Sequence, residues 1–143
     1  MSDRFMAIEF LKQARELIRD RNRWTTTALA RDAQGEAVDP FDDNAVCWCA
    51  TGALAKVCSG TISTHAEQSR VLDAVYDEDV YGFLEKSVRP GVNLAWDALR
   101  RASAEEYKRF PSQITPESVN NELGHEAVLG MYDDAISLVG LLP

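Results

Sequence analysis

Apolar residues recur along this chain mostly at helical spacing. From Ser2 to about Arg21, Met6, Phe10 and Leu17 with Ala7, Leu11, Ala14 and Ile18 make one continuous stripe, while the other face carries charges of both signs. Ser2 is placed to cap this helix and Asp3 suits its first turn. From Asp43 to Cys58 the pattern is different: Lys56 is the only formal charge after Asn44. At ~100° per residue, Val46, Ala50, Ala53, Leu54 and Val57 share one face, with Trp48, Gly52 and Ala55 roughly opposite. A helix apolar nearly all round belongs inside a domain. Asp43 would cap it and Gly60 would stop it. The small residues beside Trp48 would let a neighbouring backbone come close, which puts Gly52 at a tight contact.

The segments on either side are punctuated differently. Thr25-Thr26-Thr27 is β-branched and Asp32-Ala33-Gln34-Gly35 is a turn signal, which predicts a hairpin pairing Thr26 to Arg31 with Glu36 to Val38. Thr64 and Glu67 have capping-box spacing and open a third helix whose apolar residues include Val71, Leu72 and Val75. A bend at Asp77-Glu78-Asp79 and further helical turns to about Ser87 follow, and Pro90-Gly91 ends the segment. Helices are expected from Val92 to about Ala102, from Ser103 to about Phe110, from Pro116 to about Asn121 behind the cap Thr115, and from Gly124 to Val139. The expected fold is mainly α: one compact helical domain over residues 1–143, with four to six helices around a buried central helix and one small β-hairpin.

Composition narrows the function classes. The formal charge of −8 on 143 residues opposes a general grip on nucleic acid phosphates. The same charge suits a basic partner or a decoy that imitates nucleic acid, although fifteen basic residues are interspersed. No apolar run is long enough to span a bilayer, and acidic residues interrupt the N-terminal pattern of a signal peptide. Three cysteines form no disulfide framework, so free thiols and a cytoplasmic setting are expected.

Chemistry-bearing residues are few. Cys47, read at the start of the central helix, would have its thiolate favoured by the helix dipole. With His125 as base and an Asn nearby it would make a cysteine hydrolase or transferase, so Cys47 and His125 are the catalytic candidates. Trp48, Asn120 and Asn121 are the ligand-binding candidates, because the loop before the last helix gathers two Asn, a Gly and a His. No metal site is expected: on a helix Cys47 and Cys49 would point ~160° apart, and no Cys-x-x-Cys or His-x-x-x-His occurs. Phosphate-cradling Gly-rich motifs are absent too, and no cofactor is expected.

Trp24 leading a hairpin, then Cys47-Trp48-Cys49-Ala50-Thr51-Gly52-Ala53-Leu54, then Asn120-Asn121 before Glu126-Ala127-Val128-Leu129 and Ala135-Ile136, resembles a family of small uncharacterised proteins of bacteria and their phages, a domain of unknown function. The resemblance spans nearly the whole chain and implies the architecture. It brings no activity. The family's usual Asn-Asp pair is Asn120-Asn121 here, one carboxylate fewer. The leading expectation is therefore a non-enzymatic binding or accessory protein, bacterial or phage-related, with a protein partner. The alternatives are the cysteine enzyme using Cys47 and His125, and an acidic decoy occupying a nucleic-acid-binding protein.

Overall fold

The computed structural model describes residues 2–59, 84–85, 91–106 and 115–141. The helix expected to open at Thr64, its bend at residues 77–79 and the stop at Pro90 lie outside them. Among the described residues there are five α-helices and a small sheet: α1 (Asp3–Leu17), β1 (Ala30–Arg31), β2 (Ala37–Val38), β3 (Cys47–Trp48), α2 (Ala50–Ser59), α3 (Val92–Glu106), α4 (Pro116–Glu122) and α5 (His125–Gly140). The mainly α fold around a buried helix is as the apolar spacing predicts.

Helix α1 starts where expected, with the Ser2 hydroxyl accepting from Phe5 N at 3.1 Å. It ends at Leu17, before Arg21. Asp20 accepts from Asn22 N at 2.8 Å and opens a separate 3-10 turn over Arg21–Arg23, a local side-chain bond that competes with helix continuation. Ala7, Phe10, Leu11 and Ala14 are buried, as the stripe requires.

The central helix needs a correction. It begins at Ala50, not near Asp43. Asp42 accepts from Asn44 N at 2.7 Å and from Ala45 N at 3.0 Å, which closes a turn. Val46 N then donates to Arg31 O at 2.9 Å and Cys49 N to Leu29 O at 3.1 Å, so the intervening residues enter the sheet. Cys47 is thus in a strand, without the helix-dipole setting expected for it, and the helical argument that turned Cys47 away from Cys49 does not apply. The hairpin becomes three antiparallel strands in the order β2-β1-β3, with Ala30 opposite Val38 and Trp48, and Arg31 opposite Ala37 and Cys47. The helical spacing of Ala50, Ala53 and Leu54 does hold, and all three are fully buried.

Helix α3 runs through Ser103, where a new helix was expected. Ser103 Oγ donates to Arg100 O at 2.6 Å, back into the same helix, instead of capping another. The rest of that expected short helix, to Phe110, lies outside the described residues. Thr115 does cap α4, accepting from Ser118 N at 3.3 Å, with Pro116 in the first turn. Helices α3 and α5 pack along each other, α1 lies against both and against α2, and α4 bridges α2, α3 and α5. Their buried side chains form one continuous cluster, with Tyr132 the largest fully enclosed.

Two glycines set how closely these pieces meet. Gly91, at φ 87°, lies where a Cβ would be 2.7 Å from both Ala7 N and Met6 Cβ, so the start of α3 rests directly on α1. At Gly52, a Cβ would run into the Leu29 carbonyl. The tight contact expected of Gly52 exists, and its partner is the strand-side backbone. Replacing Gly52 with Ala should overpack this contact and cost about 1–3 kcal/mol. Gly140→Ala, where a Cβ meets nothing within 4 Å, should leave the melting temperature unchanged or slightly higher. Equal melting temperatures for both variants would show that the Leu29 contact yields freely.

Candidate functional site

Helix α2 is buried from its first residue, so its leading N–H groups cannot turn to water. Asn120, itself fully buried on α4, supplies the missing acceptor. Its Oδ1 accepts from Ala50 N at 3.0 Å and from Trp24 Nε1 at 2.6 Å. Its Nδ2 donates to Thr25 O at 2.9 Å and to Asn121 Oδ1 at 3.1 Å. Every hydrogen-bonding position of a primary amide is then occupied from within the protein. The Cys49 thiol accepts from Gly52 N at 3.3 Å, and Tyr132 Oη donates to Ala50 O at 2.6 Å, tying the same helix end to α5.

The other sequence candidates surround this junction. Trp48 is buried in β3, with Nε1 donating to Pro40 O at 3.0 Å and the Arg23 guanidinium over its ring at 5.7 Å. His125 is buried in the first turn of α5, its ring 5.2 Å from that of Trp24. His125 Nε2 is 2.7 Å from Ile18 O. A carbonyl only accepts, so Nε2 carries the proton. Cys47 is half-buried, its Sγ 3.9 Å from Arg31 O. Among the described contacts, Trp24 links Trp48, Asn120 and His125, and none joins Cys47 to His125.

Asn121 faces outward and borders an open space. A cleft of about 340 Å³ lies between α4 and the segment before β1, lined by Thr27, Ala28, Leu29, Cys49, Glu117 and Asn121. Thr27 has φ 62°, a left-handed conformation that a β-branched residue rarely adopts and that costs about 1–3 kcal/mol. Three contacts hold it there: Thr27 N donates to Asn121 Oδ1 at 3.0 Å, its hydroxyl donates to Thr26 O at 2.7 Å, and Arg31 Nη2 donates to that hydroxyl at 3.0 Å. The Arg31 guanidinium also reaches Thr25 Oγ1, Thr26 O and Gly35 O, so the whole bend is wrapped around it.

Glu117 is the charged residue of the cleft. Burial raises its carboxyl pKa above the usual range. A hydrogen bond from the Thr51 hydroxyl lowers it, by less than burial raises it. Cys49, at the same place, has its thiol pushed up to about 12, first by burial and further by the nearby Glu117 charge, against the opposing hydrogen bond from Gly52. Such a thiol is a packed apolar group at neutral pH. Sequence reasoning overlooked Glu117, Thr51 and Thr27. A glutamate in a first helical turn is ordinary on the surface, and nothing in its neighbours along the chain announces its burial. A second, shallower space of about 530 Å³ is lined by Asp3, Glu85, Asn93, Leu94, Trp96, Asp97 and Arg100. Among the described residues no group of three or more His, Cys, Asp or Glu side chains could hold a metal ion, and no helix is long and apolar enough to cross a membrane.

The chain belongs to a family of unknown function: the model of the Family of unknown function (DUF6197) matches residues 6–138. No curated protein and no solved structure matches it significantly.

Two outcomes test the energetics of the junction and the cleft. Asn120→Ala strands the Ala50 and Trp24 donors and should cost about 2–4 kcal/mol in thermal or denaturant unfolding. Asn120→Asp keeps the acceptor but needs a proton to donate to Thr25 O. Its folded-state pKa would be raised, so its deficit should be smallest in acid and grow as pH rises through that pKa. Either variant unfolding like the parent would remove Asn120 from its structural role. Glu117 behaves oppositely to a paired carboxylate. With its folded pKa raised, its contribution to stability is present at low pH and is lost as pH rises through that value. Glu117→Gln should therefore match or exceed the parent's melting temperature at pH 7, with the difference fading in acid. A clear loss of stability at pH 7 would mean that the carboxylate has a favourable partner.

Proposed function

We propose that the domain is a non-enzymatic binding or accessory protein, and that the cleft bounded by Thr27, Leu29, Glu117 and Asn121 is where it takes its ligand. The observation that carries this reading is the coincidence, at one cleft, of a strained Thr27 and a partly desolvated Glu117. Strain and unpaired burial cost stability, and they gather where binding groups must be held in place. The volume is in the range of small-molecule pockets. Asn121 adds a side-chain amide whose Nδ2 has no partner among the described residues, and Ala28, Leu29 and Cys49 give an apolar wall.

The reading as a cysteine hydrolase or transferase demands an activated Cys47. His125, its proposed base, holds its Nε2 proton on Ile18 O inside the core. The acidic-decoy reading rests on net charge alone, and such a complex must weaken steeply with salt. Partner and cellular location belong to this proposal as expectations: a protein or small-molecule partner and a cytoplasmic setting.

Thiol labelling and a fragment screen test the proposal together. With an aromatic disulfide reagent at pH 7, Cys47 should label first, at the rate of an ordinary surface thiol, while buried Cys49 and Cys58 wait for unfolding. Labelling of Cys47 about a hundredfold faster than a free thiol would favour the cysteine enzyme instead. In amide-resolved NMR, fragments that bind should perturb residues 27–29, Cys49 and Asn121 together. Ala28→Phe, which fills the cleft from its rim, should abolish those shifts without lowering the melting temperature. Fragment hits confined to other surfaces would overturn the assignment of this cleft.

A further inference from the structure

We propose that the cleft recognises a carboxamide, with the Asn121 side-chain amide donating to its oxygen and the Glu117 carboxyl accepting from its nitrogen. The inference rests on the cleft being the binding site proposed above and names the class of ligand it takes.

Which end of the Asn121 amide is left open follows from groups that can only donate or only accept. The backbone N–H of Ala50 and the indole N–H of Trp24 only donate, so the Asn120 atom they share is its oxygen. The Thr25 carbonyl only accepts, so the Asn120 atom facing it is Nδ2. Asn120 Nδ2 and Thr27 N then both donate to one atom of Asn121, which must be Oδ1, at 3.1 and 3.0 Å. Thr27 makes its bond from the left-handed bend, so a strained residue helps to fix the orientation of this amide. With Oδ1 taken twice, the two N–H groups of Nδ2 remain, and they have no partner among the described residues. Asn121 is exposed and lines the cleft.

Glu117 lies one helical turn before Asn121 on α4 and lines the same cleft. Side chains four residues apart share a helix face, with about 5–6 Å between their Cβ atoms. The Glu117 carboxyl takes one hydrogen bond from Thr51. A carboxylate accepts about four, so acceptor capacity is left over. The cleft thus sets an oriented donor beside an acceptor. A carboxamide carries the complementary pair, an oxygen and an N–H on neighbouring positions of one plane. A hydroxyl would have to serve both groups from a single oxygen. An ammonium has no acceptor for Asn121 Nδ2, and a carboxylate ligand has no donor for Glu117 and repels its charge. The apolar substituent of the amide would lie along Ala28, Leu29 and Cys49.

The test is an amide-resolved NMR titration of the full chain at pH 7 with butyramide, and with methyl propyl ketone, which has the same shape and oxygen but no N–H. A third arm is the peptide-bond analogue N-acetylalanine N-methylamide. Butyramide should shift residues 27–29 and Asn121 with an affinity about fivefold higher than the ketone, the worth of one neutral hydrogen bond. Glu117→Met, which removes the acceptor, should erase that preference. Asn121→Asp keeps an oxygen for Thr27 N and Asn120 Nδ2 and removes only the free donors. It should weaken butyramide and the ketone alike, about fivefold, with the spectrum otherwise native. Tighter binding of butyramide than of the peptide analogue assigns a terminal carboxamide. Equal or tighter binding of the analogue assigns a peptide bond. Either supports the proposal. Equal binding of butyramide and the ketone by the parent, or an unchanged preference in Glu117→Met, overturns the carboxamide reading while the cleft stands as a binding site. Undiminished binding of both probes by Asn121→Asp does the same. No perturbation of the cleft by any probe, together with fragment hits confined to other surfaces, overturns both.

Discussion

A helix buried at its N-terminus must import its caps, and in this protein that requirement organises everything around α2. In water the first N–H groups of a helix are satisfied by solvent; inside a core each needs an acceptor from elsewhere in the chain. Ala50 N finds Asn120 Oδ1 and Gly52 N finds the Cys49 thiol, while the Ala50 carbonyl is met by Tyr132 Oη. Two helices far along the chain, α4 and α5, are thereby fixed to the start of α2. The same Asn120 amide also holds Trp24 and the Thr25 carbonyl, so the segment that leads into the sheet is located by the atoms that cap α2. Packing alone would bring these elements together. The four bonds of one amide select a single arrangement, because any slip leaves a buried donor or acceptor unpaired.

The cleft is a geometric consequence of that junction. On α4, Asn120 must face inward. Glu117 and Asn121 are four residues apart, so they lie together on a neighbouring face of the same helix. That face meets the bend at Thr27, which Asn121 holds through its backbone N–H. Cys49 and the absent side chain of Gly52 bring the Leu29 backbone down onto α2 and set the floor. The position of Glu117 relative to Thr51 therefore depends on the Asn120 bonds, even though Asn120 touches nothing in the cleft with a free polar atom. Adjacent asparagines have separate tasks: one locks helix to sheet, and the other shapes the rim.

Much of this fold could be read from periodicity, and the places where it could not have a common cause. The stripes of α1 and α5 and the Thr115 cap with Pro116 depend on residues near each other in sequence, and they stand. The start of α2 did not follow. Asp43 looked like its cap, yet Asp42 closed a turn, and β1 offered Val46 and Cys49 backbone partners from Arg31 and Leu29. A run such as Val46-Cys47-Trp48-Cys49 satisfies strand and helix patterns alike, and only the presence of a nearby strand decides. Ser103 shows the reverse: its capping spacing was real, but the helix before it had no reason to stop. For the site, the Asn pair was visible as a cluster, while Glu117, Thr51 and Thr27 were not. Their importance lies in burial, in a missing partner and in a backbone angle, and none of these is a property of residue type.

The distribution of cost across the molecule is what separates the cleft from the junction. At the junction, polar groups are numerous and every one of the named donors meets an acceptor, so burial there is consistent with stability and with a unique fold. At the cleft, a few ångströms of chain away, a threonine is held left-handed and a carboxyl has lost water without gaining a cation among the described residues. Sequences that fold well are locally consistent, and departures from consistency survive where something other than stability depends on them. Two departures of different kinds, one in the backbone and one electrostatic, converge on one concave surface. A core defect would show one of these alone and would be relieved by repacking. Their convergence beside fully satisfied neighbours is the ground on which the proposed binding reading of that surface rests.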